Sequence, residues 1–487
     1  MHPLLSEFEQ TCARQPDRPA ACDQSLVLDY QSFRAVAAGL APQIAAQTRQ
    51  PRVGIMAPMS SACAAAIFAC WYAGRVPVPL NFLLGPEELA KIIRDAELDL
   101  VVTIERFAPN LTGTGLKTLL LSAHTLVPGN TAAPDAEPRD VAVILYTSGT
   151  SGDPKGVCLS FDNLVHNARA SIEHARMNPA QVFLSVLPQF HSFGFTAMTV
   201  TPLVLGAAVH YLPRFSPVTV VNTIAERKVT IFMAIPSMYA ALANMKQVDR
   251  QAFAPVTLAI SGGEPLPPKI AQAFEDRFGI PIYEGYGLTE SSPVVSLNVP
   301  WAYRPGSVGR PLPGIEVSAV DAAGTPLPVG QDGELLIRGH CVMLGYHNRP
   351  EATAAAVRDG ALWTGDVGHV DADGFVYITG RAKEMIIVGG ENVYPREIES
   401  VLAEHAAVAE VAVVGMADDV RGELPLAYVI LREEASASAA ELRNFCRERL
   451  AGYKVPREVR IAVDLPRSPT GKILKRALKR QESRWAR

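Results

Sequence analysis

The sequence predicts an α/β protein: a large N-terminal part of sheets flanked by helices, followed by a small α+β module. Through the first 380 residues, short apolar runs alternate with stretches of helical period, the rhythm of strands covered by helices on their faces. After Tyr377 a charged stretch gives way to a separate series of strands and helices about 100 residues long, an ordinary domain size. The length of 487 residues, 48% of them hydrophobic, allows two to four domains with cores of their own.

The elements follow in order. Val53–Met56 is a short apolar strand, and the Ala-rich run Ser60–Tyr72 is a helix. Gly74 precedes a second strand, Val76–Pro79. Gly85-Pro86 opens a helix with Leu89, Ile92, Ile93 and Ala96 on one face, because residues three and four apart share a side of a helix. Leu98–Ile104 reads as a buried strand. Residues 111–138, rich in Gly, Thr, Ala and Pro, read as loops around one strand, Thr118–Leu121. Phe193–Leu212 carries no Asp, Glu, Lys or Arg over 20 residues. Pro202 and Gly206 inside it suit a break between a buried helix and a buried strand better than a membrane span. Asp371–Gly374 is a turn between short strands. The domain boundary falls near Arg381–Lys383, between parts 1–381 and 384–487; residues 382–383 join them. Beyond it, Met385–Val388, Val408–Val414 and Leu426–Leu431 read as strands, and Pro395–His405 and Ser438–Leu450 as helices.

Charge excludes one class of partner. Lys and Arg number 45 against 49 Asp and Glu, whereas a nucleic-acid footprint needs a basic face. The seven cysteines, at 12, 22, 63, 70, 158, 341 and 446, form no CxxC pair and are odd in number, which speaks against a zinc site or disulfide framework and for a reducing cytoplasm. The N-terminus has no basic segment followed by an apolar core, so no signal peptide is expected.

The most informative segment is Tyr146-Thr147-Ser148-Gly149-Thr150-Ser151-Gly152-Asp153-Pro154-Lys155-Gly156, which follows the apolar strand Val141–Leu145 and precedes an amphipathic helix bearing Leu164, Ala168, Ile172 and Ala175. Its glycines permit backbone conformations that turn amide N–H groups toward an anion. Its hydroxyls add donors, and Lys155 adds a mobile point charge. It is not a Walker A loop, in which Lys follows the last Gly and a Ser or Thr follows the Lys. Further along stand Pro188-Gln189-Phe190-His191-Ser192-Phe193-Gly194, Ser261-Gly262-Gly263-Glu264-Pro265, Tyr283-Glu284-Gly285-Tyr286-Gly287-Leu288-Thr289-Glu290, Trp363-Thr364-Gly365-Asp366 and Pro469-Thr470-Gly471-Lys472. Tyr286 between two glycines can stack on a purine. Glu290 offers the oxygen ligand that Mg²⁺ prefers.

In this order, and over essentially the whole chain, these strings resemble the adenylate-forming superfamily of acyl-CoA synthetases, peptide-synthetase adenylation domains and luciferases. The resemblance implies an α/β N-terminal AMP-binding domain with a distorted β-barrel part and a small mobile C-terminal lid. It implies ATP, Mg²⁺ and CoA or a carrier protein's phosphopantetheine as reactants with a small-molecule carboxylic acid. It also implies a monomer or homodimer without a transmembrane segment, with peripheral membrane contact left open.

Residue by residue, it implies that Thr147, Ser148, Gly149, Thr150, Ser151, Gly152 and Lys155 hold the β- and γ-phosphates. Gly263, Glu264 and Pro265 line adenine, with Glu284, Gly285, Tyr286 and Gly287 around the base. Thr289 serves the α-phosphate, Glu290 the metal, and His191 the acid. Asp366 and Arg381 bind ribose, and Asn392 contacts the nucleotide. Lys472 bridges the substrate carboxylate and the α-phosphate. Lys383 is the hinge about which the lid swings, so that the strand ending Val388-Gly389-Gly390 replaces Lys472 and lines a pantetheine tunnel. The acyl pocket is expected from residues 190–195, 234–239, 261–264 and 284–288, mostly apolar or small, and the segments 289–296 and 306–314 are most like those of fatty-acyl ligases. An aryl-acid ligase, a carrier-protein ligase, an enzyme that stops at the adenylate, and a non-catalytic nucleotide-binding protein remain as alternatives.

Lys472→Ala should abolish acyl-adenylate formation but spare thioester formation from supplied acyl-adenylate, because its ammonium is needed where two anions meet. Separate assays of the half-reactions check this, and equal survival of both refutes the role.

Overall fold

The computed structural model describes residues 2–147, 154–246, 248–389, 391–418, 420–433, 435–467, 473–475 and 477–479. They pack as two compact units, Met1–Val317 with Ile337–Trp363, and Ser318–Leu336 with Thr364–Arg487.

The first unit is built on a nine-stranded sheet. Its middle strands, Ile282–Gly287, Leu258–Ser261, Ile231–Ala234, Val182–Ser185, Ala208–Tyr211 and Pro19–Cys22, run parallel in that spatial order. The four central ones are almost wholly buried, as expected where helices cover both faces of a parallel sheet. Helices Pro236–Ala243 and Pro268–Phe278 bring Tyr239, Phe274 and Phe278 to an aromatic cluster with Phe232 and Phe253. A second, four-stranded sheet is parallel throughout: Val76–Pro79, Arg52–Met56, Leu100–Thr103 and Lys117–Leu120. The helix Ser61–Tyr72 is buried on every side except at Ala62, which explains its lack of a polar face.

The apolar segment 193–212 is a π-helical stretch, Phe193–Val200, running into a short α-helix, Thr201–Leu205, and then the strand Ala208–Tyr211. Pro202 does not break it. It sits in the first turn of the α-helix, where a missing N–H is tolerated, and the break is at Gly206, whose φ of 91° is left-handed. Among the described residues no helix is long and apolar enough to cross a membrane.

The glycine-rich string differs from a strand-to-helix turn. Strand Val141–Thr147 pairs antiparallel with a second strand, Lys155–Ser160, in register Thr147↔Lys155, so the string is the tip of a hairpin. The helix begins only at Phe161. There Ser160 and Asn163 form a reciprocal capping box, satisfying two orphan backbone donors. The Asn163 amide also donates to the carbonyls of His340 (2.6 Å) and Val342 (3.0 Å). This fastens residues 340–346, whose last two form a strand against Lys155–Ser160.

In the second unit, strands Glu391–Val393, Ile386–Val388, Gly422–Leu431 and Val408–Asp418 form an antiparallel sheet, with Glu458–Ile461 parallel to Gly422–Leu431. Helices Pro395–Ala403 and Ala439–Arg447 place Ile398, Leu402, Leu442 and Cys446 in its core. Glu391–Val393 turns the segment after Val388 into a hairpin, and Gly389 takes the left-handed φ of 60° that this turn demands.

Asn163→Ala removes a cap and two part-buried bonds to the His340 and Val342 carbonyls, and should cost about 1–3 kcal/mol. Denaturant unfolding monitored in the first unit checks this, and a loss under about 1 kcal/mol would show that the 340–346 segment is held by other contacts.

Candidate functional site

In the first unit the sequence-predicted residues gather at the carboxyl ends of the parallel strands, where α/β sheets place ligands. Ser261, last residue of its strand, lies in register with Glu284. The turn after it runs Gly262-Gly263-Glu264-Pro265, with Gly263 left-handed at φ 82°. A side chain at Gly262 would lie 3.2 Å from the Phe193 ring and 3.5 Å from the Gly285 carbonyl, and one at Gly263 would meet Ile235 at 3.9 Å. All four segments expected to line the acyl pocket therefore meet around these two glycines. Phe190 is buried and meets the ring of Phe82 edge-on at 5.4 Å, and Phe82 stacks on Phe107. Sequence reading did not single out Phe82 or Phe107.

The Glu284 carboxylate accepts from the Leu266 amide at 3.1 Å, which fixes the turn containing Glu264 and Pro265 against the next strand. Tyr286 is half-buried on that strand. Gly287 has no room for a side chain, because a Cβ there would fall 1.8 Å from the Pro293 carbonyl oxygen. This close approach bends the chain into the 3₁₀ turn Thr289–Ser291. Thr289 is buried, and its hydroxyl shares a 3.1 Å hydrogen bond with that of Ser192. The neighbouring His191 is exposed.

Glu290 is held by a residue that sequence reading missed. The Tyr346 phenol donates to Glu290 Oε1 at 2.8 Å, and the Met343 amide donates to the Glu290 carbonyl at 2.9 Å. Burial, followed by the Glu290 charge and this bond, pushes the Tyr346 phenol far above its ordinary range, so it keeps its proton and remains a donor. The Lys155 ammonium lies 4.8 Å from the centroid of the same ring, a cation–π distance. Lys155, at the base of the glycine-rich hairpin, Tyr346 and Glu290 thus form one row. The only sequence signal for Tyr346 was an aromatic beside Gly345, shortly before a helix opened by Pro350; its link to Glu290, 56 positions away, leaves no periodic trace. On the other side of the hairpin, the Tyr146 hydroxyl donates to Asp95 Oδ2 at 2.7 Å, and Arg349 pairs with Asp95 Oδ1 at 3.0 Å. Thr147 and Lys155 are the described ends of the hairpin; Ser148, Gly149, Thr150, Ser151 and Gly152 lie outside the described residues.

In the second unit Asp366 is in register with Arg381, and the two form a 2.7 Å ion pair with the Asp366 side chain only 3% exposed. The Asp366 amide donates to the Thr364 hydroxyl, which donates to the Leu335 carbonyl. Lys383 is exposed in the single 3₁₀ turn Ala382–Glu384. Asn392 is exposed on the strand Glu391–Val393. Gly390 and Lys472 lie outside the described residues. The run of Lys and Arg after Lys472 has the composition of a solvated basic tail, but Lys475 is not solvated in that way. Its side chain is 24% exposed and pairs with both Glu384 (2.7 Å) and Glu399 (2.9 Å). Burial opposes its charge, but the two carboxylates outweigh burial and raise its pKa.

A hydroxyl- and glycine-rich hairpin beside a fixed carboxylate, with a glycine-lined floor at the ends of parallel strands, defines a nucleotide-handling enzyme of the adenylate-forming class. The chain belongs to this family: residues 8–347 match the family described as AMP-binding enzyme, and residues 397–472 match the AMP-binding enzyme C-terminal domain. It is an AMP-forming acid–thiol ligase, close to the fatty-acyl-CoA synthetases. It is 33% identical to a long-chain-fatty-acid–CoA ligase of Bacillus subtilis, over 99% of this chain and 94% of that one. It is 37% identical to a sulfoacetate–CoA ligase of Cupriavidus necator, over 86% of each, and 33% identical to a feruloyl-CoA synthase of an Amycolatopsis species, over 96% of each. Among solved structures, ATP-bound MatB from Rhodopseudomonas palustris superposes with a TM-score of 0.91 at 30% identity, covering 99% of both chains. The o-succinylbenzoate CoA synthetase of Bacillus subtilis with ATP and magnesium gives 0.89 at 30% identity, over 97% of this chain and 99% of that one.

Tyr346→Phe removes a charge-assisted hydrogen bond worth about 1.5–3 kcal/mol. Adenylation should slow roughly 10- to 150-fold with little change in the thermal midpoint. An unchanged rate would mean that the phenol does not position Glu290.

Proposed function

We propose that the enzyme activates a medium- or long-chain fatty acid as its acyl-adenylate, releasing pyrophosphate, and passes the acyl group to the thiol of CoA. The observation that carries the chain-type reading is the convergence of Phe193, Gly262, Gly263 and Ile235. Three of the four pocket segments carry no charged side chain until Glu264, and the fourth contributes Glu284, whose carboxylate is already engaged by the Leu266 amide. A lining of mostly apolar or small residues rewards apolar length.

ATP and the acid are both anions, so the chain has to screen charge while holding them in line. In this reading Thr147 and Lys155, with Ser148, Gly149, Thr150, Ser151 and Gly152, take the β- and γ-phosphates. The Thr289 hydroxyl, oriented by Ser192, donates to the α-phosphate. Tyr286 and the glycines beside it, with Gly263, Glu264, Pro265 and Glu284, receive adenine, and His191 flanks the acid. Asp366 accepts from the ribose hydroxyls while Arg381 holds its carboxylate, and Asn392 adds a nucleotide contact. Glu290 fits Mg²⁺, which is bound through one or two carboxylates plus substrate phosphates, and when bound the ion neutralises phosphate charge. Lys472 neutralises the remaining charge between the acid and the α-phosphate. After the adenylate forms, Lys383 serves as the pivot and Gly389 and Gly390 line the path of the thiol. An aryl acid is the second reading, favoured by the ring cluster Phe82, Phe107 and Phe190.

Turnover with acids from acetate to stearate, with benzoate, ferulate and sulfoacetate, each with CoA or a phosphopantetheinylated carrier protein, tests this by mass spectrometry of AMP, adenylate and thioester. Each added methylene should raise kcat/KM about fourfold until the pocket is full, from about 0.8 kcal/mol per buried CH₂. Ferulate, benzoate or sulfoacetate outrunning every fatty acid overturns the chain assignment, and carrier-bound product without acyl-CoA overturns the acceptor.

A further inference from the structure

Away from this site, two histidines and a carboxylate of the first unit converge on the surface. Asp162 and His166 are one helical turn apart on Phe161–His174, so both side chains leave the same face. His340 comes from the segment fastened by Asn163. His166 Nε2 lies 3.1 Å from Asp162 Oδ1, and His340 Nδ1 lies 2.9 Å from Asp162 Oδ2. The two imidazole rings stack nearly parallel at 4.0 Å. One ligand atom from each residue can be chosen so that all lie within 4.8 Å of one another.

Two imidazoles and one carboxylate are a donor set for a borderline divalent ion of the zinc, nickel or copper kind, whereas Mg²⁺ prefers oxygen. Neighbouring ligand atoms on a tetrahedral zinc with bonds of about 2.0–2.1 Å stand roughly 3.3 Å apart, close to both observed separations. Each ring presents one nitrogen to a different oxygen of the same carboxylate, so a single divalent ion could take a lone pair from each neutral imidazole and from Asp162. The side chains of Asp162, His166 and His340 are 30%, 45% and 61% exposed, so solvent reaches the cluster and water can complete the coordination. A concavity of about 310 Å³ lined in part by Asp162, His166, Arg169 and Glu7 opens beside it, and Glu7 already neutralises Arg169 through a 2.6 Å ion pair.

We propose that Asp162, His166 and His340 form a binding site for Zn²⁺ or a similar transition-metal ion, distinct from the nucleotide site. The ion ties the start of the helix Phe161–His174 to the segment 340–346, which carries Tyr346, and so acts as a clip on the segment that positions Glu290.

Isothermal titration of the untagged full chain with Zn²⁺, in chelator-free buffer containing millimolar Mg²⁺, tests the site. One equivalent should bind, with affinity falling at least tenfold in both His166→Ala and His340→Ala. Zn²⁺ should also raise the thermal midpoint of the parent chain and leave that of the variants unmoved. His340→Ala keeps the backbone carbonyl that Asn163 grips, and the milder His340→Gln serves if either alanine variant fails to fold. Undiminished Zn²⁺ affinity in a folded variant, competition by Mg²⁺, or no binding to the parent chain each overturns the proposal.

Discussion

The first unit depends on a carboxylate, that of Glu290, held from two sides by the fold. Glu290 stands on a single 3₁₀ turn, too short to position a side chain by itself. Its rigidity is borrowed from the Tyr346 phenol at 2.8 Å and from the Met343 amide on its carbonyl. Tyr346 in turn is set by its register with Val157 on the strand leaving the glycine-rich hairpin. The hairpin, the carboxylate and the phenol between them therefore cannot shift independently. The Lys155 ammonium lies over the same ring, so a cation and a carboxylate both meet the one phenol. An arrangement of opposite charges fixed in this way by the fold is preorganised.

The glycines on the opposite wall follow from a different constraint, close approach. At Gly287 the backbone passes so near Pro293 that no side chain fits, and at Gly262 the Phe193 ring takes the space. One glycine makes the turn that delivers Thr289 and Glu290, and the other keeps the floor flat. Gly262 sits just past the parallel strand Leu258–Ser261, where the backbone leaves the sheet, whereas Gly287 ends the strand Ile282–Gly287 and is still in register with Val294.

Much of this was legible in the sequence because the relevant physics is local. The alternation of apolar runs located the strands of the four-stranded parallel sheet to within two residues, and Leu89, Ile92 and Ile93 point inward as their spacing predicts. Errors arose where tertiary pairing decides. Lys155–Ser160 begins with a charge and a glycine and does not read as a strand, yet it is held between two partners. Glu458–Ile461 alternates charged and apolar residues over only four positions and is a strand because Gly422–Leu431 offers it an edge. Lys475 looked like part of a basic tail because composition registers charge and not the two glutamates that meet it. The approach of Ser192 to Thr289 and of Tyr346 to Glu290 depends on chain crossings with no sequence period.

Lys475 also bears on how the second unit works as a body. The turn Ala382–Glu384 and the segment 473–475 are some 90 residues apart in sequence, and one ammonium bonded to Glu384 and Glu399 joins them. Glu399 belongs to the helix Pro395–Ala403, and it also accepts from the Val413 amide of the long strand Val408–Asp418. The turn, the helix, the sheet and the C-terminal segment are thus cross-linked around one half-buried cation, and removing either carboxylate would leave that cation with a single partner.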